Sequence, residues 1–322
     1  SVINKAIAGS DNTKDVEDSK TVTITKPELT IEKKSDKTIY STGETAKYTL
    51  IVKQIKENAV AKNVVIKDVF DNENISKPIN VKITDNKGNI VNSAEVIIDE
   101  KGFVINTNAN LAQDEFFTIT YNVNMSNALL SGKEIINNAT AKAENTELVK
   151  TNNTVSVTTP KLSIEKKSNK TAYSSSETAK YTLKITQTEE NAVAKNVVIN
   201  DTFDNKNITK PSNIKITDNK GNDVSTADIT ISDTGFIINT NADLKKDEFF
   251  TVEYTVNLSN SLLTGATVKN IATTKADNAE QVEDTVSITI GKPDLSVIKT
   301  SNKDSYGTDE NANYTVKVTQ TV

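Results

Sequence analysis

The sequence predicts an all-β chain of tandem antiparallel β-sandwiches, and three observations carry that prediction. Apolar and polar residues alternate over short runs, the period-2 signature of half-buried strands. Turn-forming clusters such as Asp71-Asn72-Glu73-Asn74 and Asp85-Asn86-Lys87-Gly88 separate those runs. The whole pattern then returns 133 residues later without insertion or deletion, so that Ala59–Ile66 reappears as Ala192–Ile199 and every Tyr and Phe falls on a recurring position. A period this long means repeated whole domains, because solenoid units are typically about 20–50 residues.

Taken in order, each repeat opens on a strand entered through a proline: Pro27-Glu28-Leu29-Thr30-Ile31-Glu32-Lys33, then Pro160 to Lys166, then Pro293 to Lys299. Residues two apart on a strand share a face, so Lys33 points the same way as Leu29 and Ile31. Tyr48, Leu50 and Val52 form the next inward row, followed by Val64, Ile66, Asp68 and Phe70. Phe117, Ile119, Tyr121 and Val123 make another, as do Ile135, Asn137, Ala139 and Ala141, and then Val155 and Val157. No segment holds a helical period for three turns; Ser126–Ser131 is expected to make one short turn. Many short strands in about 130 residues indicate a sandwich of the immunoglobulin-like kind.

The repeat sets the expected domain organisation. Residues 27–159 and 160–292 are two complete modules. Residues 1–26 align with 268–292 at twice the period and are read as the last strands of a preceding module, and 293–322 as the first strands of a following one. The expected parent is a longer array. With one proline and no Gly/Ser linker at each boundary, the modules are expected to run head to tail as a stiff rod.

Composition excludes several classes. There is no His, Cys or Trp, which removes zinc, haem and iron–sulfur motifs and both Ser-His-Asp and Cys-His catalysis. All 38 basic residues are Lys and the net charge is −5 with the signs interspersed, so no nucleic-acid partner is expected. No run approaches the roughly 18 apolar residues of a membrane helix, so no membrane contact is expected. No cofactor and no metal are expected: Asp85–Asn89 lacks the remaining carboxylates of a calcium loop and reads as a hairpin turn. Paired inward carboxylates for glycoside hydrolysis are not visible, and no enzyme activity on an external substrate is expected.

Three inward polar positions remain. Lys33 and Lys34 are adjacent, but the third copy reads Lys299-Thr300, so only the first is always Lys. Asn137-Asn138 becomes Asn270-Ile271 and Asn4-Lys5, so only the first is always Asn. The third is Asp68, matched by Asp201, so the first, a middle and the last strand of a module are each expected to place one such residue on the core side. A lysine, an asparagine and an acid brought together in an apolar core have a known outcome. Burial lowers the amine's pKa and raises the acid's, the neutral amine attacks the side-chain amide, the protonated acid hydrogen-bonds the amide oxygen and shuttles the proton, and ammonia leaves. Two plainer readings stand beside it: Lys33 snorkels to the surface, or it pairs with Asp68 as a buried ion pair. Glu115/Glu248 and Asp71/Asp204 also recur as candidate acids; face parity favours Asp68.

Glu28-Leu29-x-Ile31-x-Lys33, then Tyr48-x-Leu50, then Ala61-x-Asn63-Val64-Val65-Ile66-x-Asp68-x-Phe70 and Asn137-x-Ala139 resemble a repeat of bacterial surface proteins, the family labelled domain of unknown function eleven. They are also similar to the isopeptide-forming immunoglobulin-like modules of Gram-positive pilins and adhesins. The resemblance covers both full modules. It implies a Lys33–Asn137 cross-link assisted by Asp68 and a Lys166–Asn270 cross-link assisted by Asp201, with Asn4 and Lys299 as motif residues lacking partners. One departure is Gly43, replaced by Ser176 and Asp309; that turn is therefore expected to need no positive φ.

The function expected is a tension-bearing stalk of an extracellular adhesin or fibre on a Gram-positive cell surface. Its partners would be neighbouring repeats of the same chain, with any host or cell-surface ligand bound by another part of the parent. The alternatives are modules that bind such a ligand themselves, or subunits of a self-assembling fibre.

Overall fold

A computed structural model describes residues 1–204, 206, 208–291 and 295–320. The expected module boundary at Lys292-Pro293 lies outside the described residues. The chain divides into two compact units, Ser1–Thr159 and Pro160–Val322.

The first unit begins with a hairpin of β1 (Val2–Ala8) and β2 (Val16–Val22), exposed along its length. The sandwich follows: β3 (Leu29–Ser35), β4 (Ile39–Ser41), β5 (Thr45–Gln54), β6 (Val65–Phe70), β7 (Ile79–Thr84) and β8 (Glu95–Ile98). β9 (Gly102–Asn106), β10 (Phe116–Asn124), β11 (Glu134–Lys142) and β12 (Val149–Thr158) complete it. One sheet has the order β3-β5-β10-β7 and the other β4-β12-β11-β6-β9-β8. Neighbouring strands are antiparallel except β4, which runs parallel to β12. The chain thus switches sheets between β3 and β4, and the two faces have the immunoglobulin-like arrangement that the alternation predicts.

Period-2 patterning explains why these faces close on one another. Along β5 the inward row Ala46, Tyr48, Leu50 and Val52 is buried, and β10 contributes Phe117, Ile119, Tyr121 and Val123 opposite Val52, Leu50, Tyr48 and Ala46. The second sheet answers with Ile66, Phe70, Phe103, Ile105, Ile135 and Ala139. At roughly 1.5–3 kcal/mol per fully buried large side chain, this double row is the main driving force for folding.

The second unit repeats the design. Leu162–Ser168, Thr178–Gln187, Phe249–Asn257 and Ser212–Thr217 form its four-stranded sheet in that order. The six-stranded sheet is centred on Ala279–Ile290, Thr267–Ala276 and Val198–Phe203. A hairpin of Leu295–Ser301 and Tyr314–Gln320 ends the described chain, with no buried side chain.

The structure corrects two expectations. The turn at Gly43 does adopt a positive φ of 73°, and Ser176 adopts 68° at the matched position. The conformation is imposed from outside the turn: the Gly43 N–H donates to the Met125 carbonyl at 2.8 Å and Ser176 N–H to Leu258 at 3.1 Å. A side chain at φ > 0 costs of order 1–2 kcal/mol, which the cross-strand bond and the flanking strands offset. Asn137, in turn, stands on β11, next to the last strand of the module rather than on it. Ser126–Ser131 closes one bonded turn, Leu129 N–H to Ser126 carbonyl at 3.2 Å. Asp85–Asn89 is a tight turn between Thr84 and Ile90, Asp85 accepting from the Lys87 and Asn89 N–H groups at 2.9 Å.

Candidate functional site, a buried lysine, aspartate and asparagine around one tyrosine

Three strands bring the site together. β3 buries Lys33 on the face it shares with Leu29, β6 buries Asp68 between Ile66 and Phe70, and β11 buries Asn137 between Ile135 and Ala139. β6 and β11 are paired, with Asn137 opposite Phe70 and Ala139 opposite Asp68. That register places both side chains on the inner face of one sheet, one step apart. Lys33 reaches them from the other sheet.

The Lys33 side chain is wholly buried, which removes the snorkelling alternative. Its Nζ donates to Asp68 Oδ2 and, at 2.8 Å, to the Tyr121 hydroxyl. Tyr121 stands on β10, in the same sheet as Lys33. Its hydroxyl donates to Asp68 Oδ1 at 3.0 Å and accepts from Asn137 Nδ2 at 2.7 Å. The Asn137 amide also faces the Asp68 carboxylate. One phenol oxygen therefore touches all three predicted residues. The lysine and amide nitrogens lie at most 5.5 Å apart, the 2.8 and 2.7 Å legs laid end to end. Asn137 Oδ1 is buried with no hydrogen-bond partner.

The second unit repeats the cluster. Lys166 Nζ donates to Asp201 Oδ2 and to the Tyr254 hydroxyl at 3.0 Å. Tyr254 donates to Asp201 Oδ1 at 2.9 Å and accepts from Asn270 Nδ2 at 2.6 Å, and Asn270 Oδ1 is again without a partner. One difference lies behind Lys166: Asp284, where the first unit has Thr151, accepts from its backbone N–H at 2.8 Å.

An aromatic cage encloses the cluster. Tyr48 stacks on Tyr121 with centroids 5.4 Å apart, and Phe103 meets Tyr121 edge-on at 4.9 Å. The Lys33 ammonium lies 5.4, 6.0 and 5.4 Å from the rings of Tyr48, Phe70 and Tyr121. Desolvation pushes the Lys33 pKa down to about 8, against an opposing pull from Asp68. Desolvation raises the Asp68 carboxyl and holds the Tyr121 phenol well above its ordinary value. Lys166 and Asp201 move in the same directions. Each charge of the pair is thus disfavoured by burial, and transfer of the proton from amine to acid leaves two neutral groups.

The other candidate acids sit elsewhere. Asp71 is exposed and accepts from the Ile136 N–H at 2.9 Å, while Glu115 accepts from Ala112 N–H at 2.8 Å in a turn. Asp204 and Glu248 do the same for Lys269 and Lys245, each at 2.9 Å. Asn4 is exposed on β1 opposite Lys20, and Lys299 is exposed with its amine 4.6 Å from the Tyr314 ring. Neither meets a partner of the triad among the described residues.

Tyr121 is the residue that sequence reasoning passed over. Its signal was present, since it recurs as Tyr254 on an inward face, and a buried hydroxyl needs partners. Tyr48 recurs on an inward face too, yet its hydroxyl is buried without a partner; pattern alone does not separate the two.

Among the described residues no group of three acidic or other metal-ligating side chains is placed to hold a metal ion, and no helix is long and apolar enough to cross a membrane. The sequence matches no known family profile and no curated protein. Among solved structures, the chain is similar to the C-terminal domain of the Streptococcus agalactiae antigen I/II polypeptide BspA. That likeness has 13% identity and a TM-score of 0.48, over 81% of this chain and 100% of that one. It is similar to the C-terminal domain of the Streptococcus pyogenes antigen I/II-family protein AspA, at 12% identity and a TM-score of 0.40, over 89% and 98%. It is also similar to the Enterococcus faecalis MSCRAMM ACE, which binds its ligands by the collagen Hug model, at 14% identity and a TM-score of 0.27, over 83% and 95%.

Proposed function

We propose that the chain is a run of cell-surface spacer modules, each closed by a self-formed isopeptide bond: Lys33–Asn137 with Asp68 in residues 27–159, and Lys166–Asn270 with Asp201 in residues 160–292. The observation that carries this reading is the shared hydroxyl. In both modules a fully buried amine and an amide with an orphaned carbonyl oxygen meet on one tyrosine beside an acid.

The chemistry follows from the arrangement. Lys33 gives one proton to Asp68, and the neutral Nζ adds to Asn137 Cγ. The carbonyl pair moves onto Oδ1 while Asp68 holds the lysine's proton. Collapse of the adduct expels ammonia and leaves an amide between the two side chains. Holding such groups in place is worth effective molarities of roughly 10⁵–10⁸ M, enough for an otherwise inert amide to react without an enzyme.

The mechanical consequence supports the spacer reading. Tension entering at Pro27 reaches Lys33 on β3 and crosses to Asn137 on β11, so β4 to β10 carry none of it. A chain without cysteine gains by this bond the covalent staple that secreted domains usually take from disulfides. The resemblance of its motifs to surface-protein repeats agrees with an extracellular setting.

Intact-mass measurement of the folded chain tests the bond. The expected deficit is two ammonias, and one in Lys33→Ala. An unmodified mass in folded protein rejects the proposal. A saturable, defined ligand for the two-module chain in a solid-phase assay rejects a purely spacer role.

A further inference from the structure

The geometry points to Tyr121, and Tyr254 in the second module, as a catalytic proton shuttle that carries a proton from the attacking nitrogen to the leaving one. The inference rests on the cross-link reading above and deepens it.

Adding an amine to an amide calls for two proton movements. The attacking nitrogen must lose a proton and the departing nitrogen must gain one, or the adduct expels the wrong amine. A group hydrogen-bonded to both nitrogens through one oxygen is placed to make both, and Tyr121 is so bonded: Lys33 Nζ stands 2.8 Å and Asn137 Nδ2 2.7 Å from its oxygen. In the second module the distances are 3.0 and 2.6 Å.

The hydroxyl is also correctly set at the start. Its single proton goes to Asp68 Oδ1, so its lone pairs face the two nitrogens, and the amide must present Nδ2 rather than Oδ1. The future leaving group is thereby turned toward the phenol. The ring is packed by Tyr48, Phe70 and Phe103, and the side chains of Lys33, Asp68 and Asn137 around its hydroxyl are buried.

The step balances. The Lys33 ammonium transfers a proton to Asp68, which no longer needs the tyrosine proton. The Nζ lone pair forms the bond to Cγ, and the C=O π pair goes to Oδ1. The added nitrogen, now positive, gives a proton to the Tyr121 oxygen while the phenol's own proton passes to Nδ2, which has become a basic amine in the adduct. The Cγ–Nδ2 bond breaks with its pair on nitrogen, the Oδ1 pair restores C=O, and ammonia departs. Tyrosine is regenerated, and Asp68 keeps one proton.

The test follows both modules by time-resolved intact mass and peptide mapping after cell-free synthesis, in the full chain and in Tyr121→Phe, which preserves the ring. Wild type should lose two ammonias. In Tyr121→Phe the first module should lag the second by about 10²-fold or more, the usual contribution of a positioned proton carrier. The solvent deuterium isotope effect on that module should change as well. Equal rates in the two modules, or slowing with an unchanged isotope effect (a tyrosine that only positions the amide), would overturn the shuttle. Absence of ammonia loss in wild type would instead sink the cross-link itself. Tyr254→Phe, read against an intact first module, is the second variant should Tyr121→Phe fail to fold.

Discussion

Asn137→Ala isolates what the cross-link contributes to stability. The substitution removes the electrophile and its orphaned carbonyl oxygen while leaving the Lys33–Asp68 pair and the aromatic cage in place. The bond would close a loop of 104 residues, from 33 to 137. By analogy with a disulfide, closing about 100 residues removes roughly 4.7 kcal/mol of unfolded-chain entropy. For a module of this size, each kcal/mol moves the melting temperature by about 3–5 °C, so the first module should melt roughly 14–24 °C lower. Differential scanning calorimetry of the two-module chain reads this directly, because the unaltered second module is an internal standard and the parent's single transition should split in two. A first module melting within about 5 °C of the parent, in protein whose parent shows the full ammonia deficit, would refute the loop-closure reasoning.

Three further outcomes are expected. In Asn137→Ala, Lys33 stays an amine with a pKa of about 8 when folded and near 10.5 when unfolded. Between those values the unfolded chain binds more protons, so stability should rise with pH across that window. The raised Asp68 carboxyl acts oppositely, its contribution falling as pH climbs from 3.8 through its folded value. Urea midpoints at several pH values should show the alkaline rise in the variant and not in the cross-linked parent, whose Lys33 nitrogen no longer titrates; equal slopes would count against it. Gly102→Ala should destabilise the first module and slow bonding there, since a Cβ at Gly102 would lie 1.9 Å from the Asp68 carbonyl oxygen and push β6 away; ammonia loss at the normal rate would contradict this. Tyr48→Phe should leave bonding intact and stabilise by about 1 kcal/mol, because it deletes a buried hydroxyl without a partner. A loss of stability on chemical denaturation would show that the hydroxyl has a role.

Much of the fold was legible in the sequence because strand parity is a local rule. Alternation in Leu29–Ser35, Val65–Phe70 and Glu134–Lys142 names the inward side chains, and the structure buries Lys33, Asp68 and Asn137 as the parity requires. Comparing copies then separated Lys33 from Lys34 and Asn137 from Asn138. The turn at Gly43 shows where local reasoning failed: Ser176 made a positive φ look unnecessary, yet a cross-strand hydrogen bond imposes one.

Sequence by itself therefore determined which residues face inward and that they do so twice, because alternation and repetition need no knowledge of partners. Which inward residues meet was decided only by the packing of one sheet on the other. That packing brings the Tyr121 hydroxyl, rather than that of Tyr48, into contact with Lys33, Asp68 and Asn137. It also leaves Asp71 and Glu115 bonded to backbone away from the core. Parity selects a face, but a contact across a sandwich depends on register and on the offset between sheets, and neither is written in the run of any one strand.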